Sequence, residues 1–421
     1  MSILLKGLKI INHNNIEEGN LLIEKDTIKG ITKETPQAKE TVDLSGLIAV
    51  PGLIDMHVHF RDPGLEYKED IVSGSQAAVA GGVTTCLPMA NTKPVNDNST
   101  ITKYMIDKAK ECGLIDLCPI GAITKGMKGE ELTEMGDMLE AGAVAFSDDG
   151  LPVMNSEVMR RALEYIKTFG SFIISHSEDK NLAGKGVIHD GKVATITGLK
   201  GIPAEAEEIM IIRDILLAKA TKSRIHIAHV STKGSLKLIK WAKEEGIEVT
   251  CEAAPHHFSF DEECLLDYDT NYKMNPPLRE KEDLEAIVDG LKSGIIDAIA
   301  TDHAPHHIDE KFVEFDNAAF GITGLQTLIP LTLKLIKNNK LTWQDFVRLT
   351  SYNPAKILNF SDKGELKAGK KADITIIDPD FTYIFDKNIN KSKSINSPLF
   401  GKELTGIAKL TIKDGKIVHK M

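Results

Sequence analysis

Eight short runs rich in β-branched and other apolar residues recur through the middle of the chain, with longer amphipathic stretches between them. The runs are Leu53 to His59, Val83 to Met89, Leu117 to Ile123, Ala143 to Asp149, Ser171 to Ser177, Arg224 to Val230, Glu248 to Ala254 and Asp297 to Asp302. Helical patterns fall at Ser156 to Thr168, Glu205 to Ala220, Ser235 to Glu245 and Lys281 to Ser293. Strands that alternate with helices in this way form parallel sheets, because a parallel connection needs a crossover. Eight such units within about 300 residues predict a (β/α)8 TIM barrel. A doubly wound open sheet is the competing arrangement.

The two ends of the chain read differently. Leu4 to Ile11, Asn20 to Ile23 and Thr27 to Ile31 are short apolar-rich runs broken by turn residues, as are Asp373 to Ile377, Ile407 to Ile412 and Lys416 to His419. Lys413-Asp414-Gly415 has the composition of a hairpin turn. Residues 1–50 and 360–421 are therefore expected to pair into one small β-sandwich domain beside a barrel of residues 51–359. Chain ends commonly lie close in space, which allows such a discontinuous domain.

The 421 residues carry a net charge of -10, which argues against general nucleic-acid binding. No apolar run is long enough to span a membrane, and the N-terminal residues lack the apolar core of a secretory signal. Five widely spaced cysteines without a Cys-x-x-Cys fit reduced thiols, most of them packed in the core, and a cytoplasmic location.

Functional side chains of a barrel sit at the C-terminal ends of its strands. The first strand ends in His57 and His59, which share one face because strand residues alternate. A bare His-x-His is weak evidence, so the other strand ends decide. Asp148-Asp149, His176, His229 and Asp302-His303 end four of them. Four imidazoles and two carboxylates exceed what one tetrahedral zinc with an open position needs. The set suits two metals ~3.5–4 Å apart, sharing a hydroxide and a carboxylate. Such chemistry serves attack of water on an amide-type carbon.

The motifs around these residues are DMHVHFRDPG at 55–64, PMANTKP at 88–94, FSDDG at 146–150, SHSED at 175–179, AHVST at 228–232, CEAAPHH at 251–257, MNPPLR at 274–279, DHAPH at 302–306, FGITGLQT at 320–327 and GELKAGKKADITIID at 364–378. In this order the chain resembles the dihydroorotases of the long, bacterial-type class, within the amidohydrolase superfamily. The resemblance implies metal ligands at His57, His59, Asp149, His176, His229 and Asp302, with Asp302 also the general acid and base. It implies two Zn2+ ions bridged by Asp149 and hydroxide. Many relatives bridge their metals with a carboxylated lysine on the fourth strand; here Asp149 takes that place.

The same resemblance places Arg61 on the substrate carboxylate, with Asn91, Asn275 and His306 as hydrogen-bonding partners. Backbone groups of Phe320 and Gly321 would read the ring amide edges. The family usually has proline before that phenylalanine; Ala319 stands there and is expected to loosen a mobile loop. The implied reaction is the reversible cyclisation of N-carbamoyl-L-aspartate to (S)-dihydroorotate in pyrimidine synthesis. The rival readings are another cyclic amidase, acting on allantoin, hydantoins or dihydropyrimidines, and a non-catalytic scaffold for aspartate transcarbamoylase. A homodimer follows from the superfamily, and association of an active enzyme with a transcarbamoylase stays open. Asp55 is expected to orient a ligand, whereas Asp148, His256, His257 and His303 are expected in supporting roles.

Overall fold

The computed structural model describes residues 2–421. Its eight parallel barrel strands are Leu53–Val58, Val83–Pro88, Asp116–Leu117 with Ile120–Gly121, Ala145–Phe146, Ile173–Ser175, Ile225–Ile227, Val249–Ala253 and Ala298–Ile299. The third strand is interrupted at Cys118-Pro119, where proline has no N–H for the ladder. Its first half pairs with the second strand through Thr85 and Asp116, and its second half with the fourth through Ile120 and Ala145. The ring closes where the first strand meets the residues after the eighth. Val58 bridges His303, and the His59 N–H donates to the His303 carbonyl at 2.8 Å. That contact excludes the open doubly wound sheet.

Helices occupy Ser156–Lys167, Glu205–Thr221, Lys233–Glu244 and Lys281–Ser293, within a turn of the expected bounds. The first buries Met159, Ala162, Leu163 and Ile166, the i, i+3, i+4, i+7 stripe of a helix packed on a sheet. Its start is fixed by Asn155, whose side chain accepts from the N–H groups of Glu157 and Val158.

Both chain ends contribute to one eight-stranded sheet. Ile48–Pro51 from the N-terminal side pairs antiparallel with Ile374–Ile384 from the C-terminal side. Along these strands Ile3, Leu5, Leu8, Ile10, Ile374, Ile376, Leu410 and Ile412 bury one apolar face. The Asp414-Gly415 turn has φ of +48° and +71°, the positive values a two-residue I′ hairpin requires. Between Ile374–Ile384 and Glu403–Lys413 the chain leaves the sheet and packs against the loops after the first and eighth barrel strands, an excursion the sequence patterns do not announce.

The cysteines are all free thiols, but only Cys86 and Cys251 are buried; Cys112, Cys118 and Cys264 are half-buried. Cys118 and Cys264 nevertheless pack against core clusters, so four of the five lie in or against the core as expected.

Candidate metal centre and substrate pocket

Every expected metal ligand and substrate contact except His57 lines one cavity of about 370 Å³ at the barrel mouth. His57 lies beneath its floor, fully buried. A larger groove, about 1130 Å³, lies on the terminal sheet around Gly7, Glu18 and Thr32 and contains no group of metal-ligating side chains.

The ligand-type atoms converge at the cavity floor. One potential ligand atom each from His57, Asp149 and His229 lies within 4.8 Å of the others, and the same holds for His57, His59 and Asp302. His176 Nδ1 lies 3.3 Å from Asp149 Oδ1 and 3.0 Å from His229 Nε2. Two imidazole nitrogens and a carboxylate oxygen thus point at one another. His57 Nε2 is buried without a hydrogen bond, although Asp149 Oδ1 is only 3.4 Å away. A buried polar atom without a partner is costly. Nitrogen and oxygen donors aimed at shared space, one of them orphaned, fit a divalent cation of zinc type.

The electrostatics agree with that geometry. Burial opposes ionisation of Asp149, but His57, His176 and His229 outweigh it and hold its carboxyl well below the usual range. Burial likewise opposes ionisation of Asp302, and the hydrogen bond from His59, with the nearby His57, again lowers it. Both carboxylates are therefore ionised, as metal ligands must be. Arg61, His229 and Asp302 have left-handed backbones, with φ of +61°, +31° and +47°. Such conformations cost about 1–3 kcal/mol each and cluster where side chains must be aimed.

The other end of the cavity is built for an anion. Arg61 is buried; its Nε donates to the Pro305 carbonyl at 3.2 Å, and its NH2 lies 3.3 Å from His306 Nε2. Asn91 faces His59 Nδ1 at 2.9 Å, and Asn275 donates to Glu178 at 3.1 Å. The Phe320 carbonyl meets His306 Nε2 at 2.8 Å. Gly321 donates its N–H to the Lys273 carbonyl, and its own carbonyl accepts from Lys311 and Asn396. These backbone groups already have protein partners, so reading a ring amide would require an exchange.

The loop carries specific backbone contacts at Ala319. The Ala319 N–H donates to the Glu310 carbonyl at 2.9 Å, a bond proline could not make, and the Ala319 carbonyl accepts from Lys311 at 2.8 Å. Alanine thus gives the loop one backbone bond that proline at this position would lack.

A dihydro-orotase-like family model matches residues 46–235, and an amidohydrolase family model matches residues 220–419. The dihydroorotase of Geotalea daltonii is 53% identical over 424 residues, covering 100% of both chains. That of Geobacter metallireducens is 54% identical over 424 residues, again covering 100% of both. This chain belongs to the dihydroorotase family. Among solved structures, the L-hydantoinase from Arthrobacter aurescens superposes with a TM-score of 0.89 at 26% identity, over 99% of this chain and 96% of that one. The dihydropyrimidinase from Brevibacillus agri NCHU1002 gives 0.84 at 21% identity, over 100% and 95%, a likeness of fold.

Within the dihydroorotase framework, several buried residues support the centre. Asp55 accepts from the N–H groups of His57 and Thr301 and from the Thr301 hydroxyl. It ties the first strand to Thr301, just past the eighth, and holds the ligand candidate His57 through its backbone N–H rather than through its ring. Asp148 accepts from the N–H groups of Ile123 and Thr124, just beyond the end of the third strand. His303 lies 3.4 Å from Glu69 and accepts from the Gly324 N–H. His257 meets the Pro276 carbonyl at 3.0 Å, and His256 packs edge-on against it.

Two residues that sequence reasoning passed over matter more. Glu252 lies 3.0 Å from His57 Nδ1, and Glu178 lies 3.3 Å from His176 Nε2. Both stand inside quoted motifs, CEAAPHH and SHSED, so a search for carboxylates able to orient metal-binding histidines would have found them.

Proposed function

We propose that this chain is a dihydroorotase, interconverting N-carbamoyl-L-aspartate and (S)-dihydroorotate in de novo pyrimidine (UMP) biosynthesis. The observation that carries the reading is the pairing, in one cavity, of a His/Asp cluster with a buried arginine at the far end. In this reading residues 51–359 form the catalytic barrel, and residues 1–50 with 360–421 form the accompanying β-sandwich domain.

His57, His59, Asp149, His176, His229 and Asp302 would hold the zinc, two ions in this reading. Zinc bound there supplies a hydroxide near neutral pH and polarises a carbonyl oxygen. Arg61 holds the α-carboxylate through its planar fork, with Asn91, Asn275 and His306 completing the contacts. Gripping that carboxylate brings the ureido nitrogen and the side-chain carboxyl together, which lowers the entropic cost of ring closure. In hydrolysis the ionised Asp302 takes the proton of the attacking water and passes it to the ring nitrogen as the C–N bond breaks. In cyclisation the ureido nitrogen bonds to the carboxyl carbon, and Asp302 returns the proton as water leaves.

The hydantoinase-type reading draws on the structural likeness alone and leaves Arg61 without a task. The family also suggests a homodimer and an association with aspartate transcarbamoylase. No helix among the described residues is long and apolar enough to cross a membrane, which is compatible with a cytoplasmic enzyme. The test is direct: load the purified chain with zinc, measure metal per chain, and assay cyclisation of N-carbamoyl-L-aspartate. Turnover with about two zinc ions per chain supports the reading; no turnover of it, with clear turnover of allantoin or hydantoin, refutes it.

A further inference from the structure

The segment between Ile374–Ile384 and Glu403–Lys413 leaves the terminal sheet and packs against the loops that follow the first and eighth barrel strands. It is fastened there by specific bonds. The Ser394 hydroxyl donates to the Lys68 carbonyl at 2.7 Å, and the Lys393 ammonium donates to the Glu66 carbonyl at 2.8 Å. Asn396 goes further in and is only 3% exposed. Its Oδ1 accepts the His306 N–H at 3.0 Å, and its Nδ2 donates to the carbonyls of Ala304 at 3.0 Å and Gly321 at 3.1 Å. Its own carbonyl accepts the Thr323 N–H at 3.0 Å.

One side chain thus joins two loops. The first follows the eighth strand and carries Asp302 and His306. The second carries Phe320 and Gly321. The loops touch where a Cβ on Gly321 would lie 2.8 Å from the Ala304 Cβ and 3.0 Å from the His306 ring. They form the end of the cavity that holds Arg61, whose NH2 lies 3.3 Å from His306. The amide orientation is dictated as well, because the reversed amide would set NH2 against the His306 N–H.

We infer that Asn396 is a positioning residue, through which the terminal domain fixes His306 and Gly321 and so sets the anion-binding end of the pocket. The inference rests on the dihydroorotase reading. It concerns how substrate is gripped rather than how the C–N bond is made, so its mark is on KM and not on kcat.

The experiment compares Asn396→Asp, which keeps the size and the acceptor but loses both donors, with Asn396→Ser, which removes the bridge without adding charge. Asn390→Ser is the control, since the Asn390 side chain bonds only within the strap, to Ser392 and Ser394. Kinetics with N-carbamoyl-L-aspartate are read beside zinc content and melting temperature. The Asn396 variants are expected to raise KM about 10- to 100-fold, the scale of a buried hydrogen bond left unmade, with kcat within about threefold and zinc unchanged. Asn390→Ser should lose stability at parental KM. Folded Asn396 variants with parental KM overturn the inference alone, as does a fall in kcat and zinc content at constant KM. Failure of both variants to fold while the control folds also overturns it, by assigning Asn396 to the scaffold. A parent protein that does not turn over the substrate overturns the functional reading and the inference with it.

Discussion

His57 Nδ1 and Glu252 Oε1 lie 3.0 Å apart beneath the cavity floor, on the first and seventh barrel strands, both closed to solvent. The contact continues through Glu252 Oε2 to His226 Nε2 at 3.2 Å, and from His226 Nδ1 to the Thr250 hydroxyl at 2.8 Å. With Nδ1 committed to Glu252, the His57 Nε2 is the nitrogen left for the cluster. Burial opposes ionisation of Glu252, but His226 and His57 hold its carboxyl down to about 2, so it stays an acceptor. Glu252→Gln keeps the shape and loses the charge. It is expected to weaken metal binding about 10- to 100-fold with unchanged far-UV circular dichroism, measured by competition with a chromophoric chelator. Parental affinity would contradict the assignment.

Asp149 meets three imidazoles within 3.3–3.4 Å, so its removal should be felt by the whole cluster. Asp149→Ala is expected to lose at least one metal per chain and to lower kcat by about 10³-fold or more, on the order of 4 kcal/mol of barrier. Metal analysis of the variant beside its kinetics is the check; full activity would remove Asp149 from the centre.

Gly321 has a φ of +144°, and an added Cβ would meet the Ala304 Cβ and carbonyl oxygen at 2.8 Å. Both the conformation and the space exclude a side chain. Gly321→Ala is expected to cost about 1–3 kcal/mol of stability and to raise KM, read from urea unfolding and steady-state kinetics. A variant as stable as the parent, with the same KM, would show that the loop has room to move aside.

Acid should destabilise the fold through His189. Burial, helped by Arg279, lowers its pKa to about 4, and its Nδ1 lies 3.1 Å from Arg279 NH1. As pH falls below about 6.5 the unfolded chain takes up a proton that the folded one refuses until about 4, so stability drops across that window. His189→Asn keeps an acceptor for Arg279 and cannot titrate. Between pH 7 and pH 5 it should lose about 1–2 kcal/mol less stability than the parent, after allowance for partial solvent contact. Equal losses in both proteins would contradict this.

The legible part of the structure was the part governed by local periodicity. All eight strands, four of the helices between them and the ligand-type residues at the strand ends follow from patterns of two and of 3.6 residues, whereas Ile71–Ala80 and Ser99–Cys112 were not marked out. What stayed hidden depends on pairs distant in sequence. Glu252 is 195 positions from His57 and Asn396 is 90 from His306, so local periodicity sets neither pairing, although Glu252 does stand inside a quoted motif. Asp55 does hold His57, but through a backbone N–H, a contact that a side-chain pattern does not reveal. The hydrogen bond of Ala319 to Glu310 likewise exists only in the folded loop.

The central claim is that this cavity selects a substrate by its carboxylate. Dihydroorotate and dihydrouracil differ only in that group, so the ratio of their kcat/KM values isolates it. The parent protein should prefer dihydroorotate by about 10³-fold or more, and Arg61→Met should bring the ratio close to one, mainly by loss on dihydroorotate. A parent protein that hydrolyses dihydrouracil as well as dihydroorotate, or an Arg61→Met variant that keeps the parental ratio, would contradict the account.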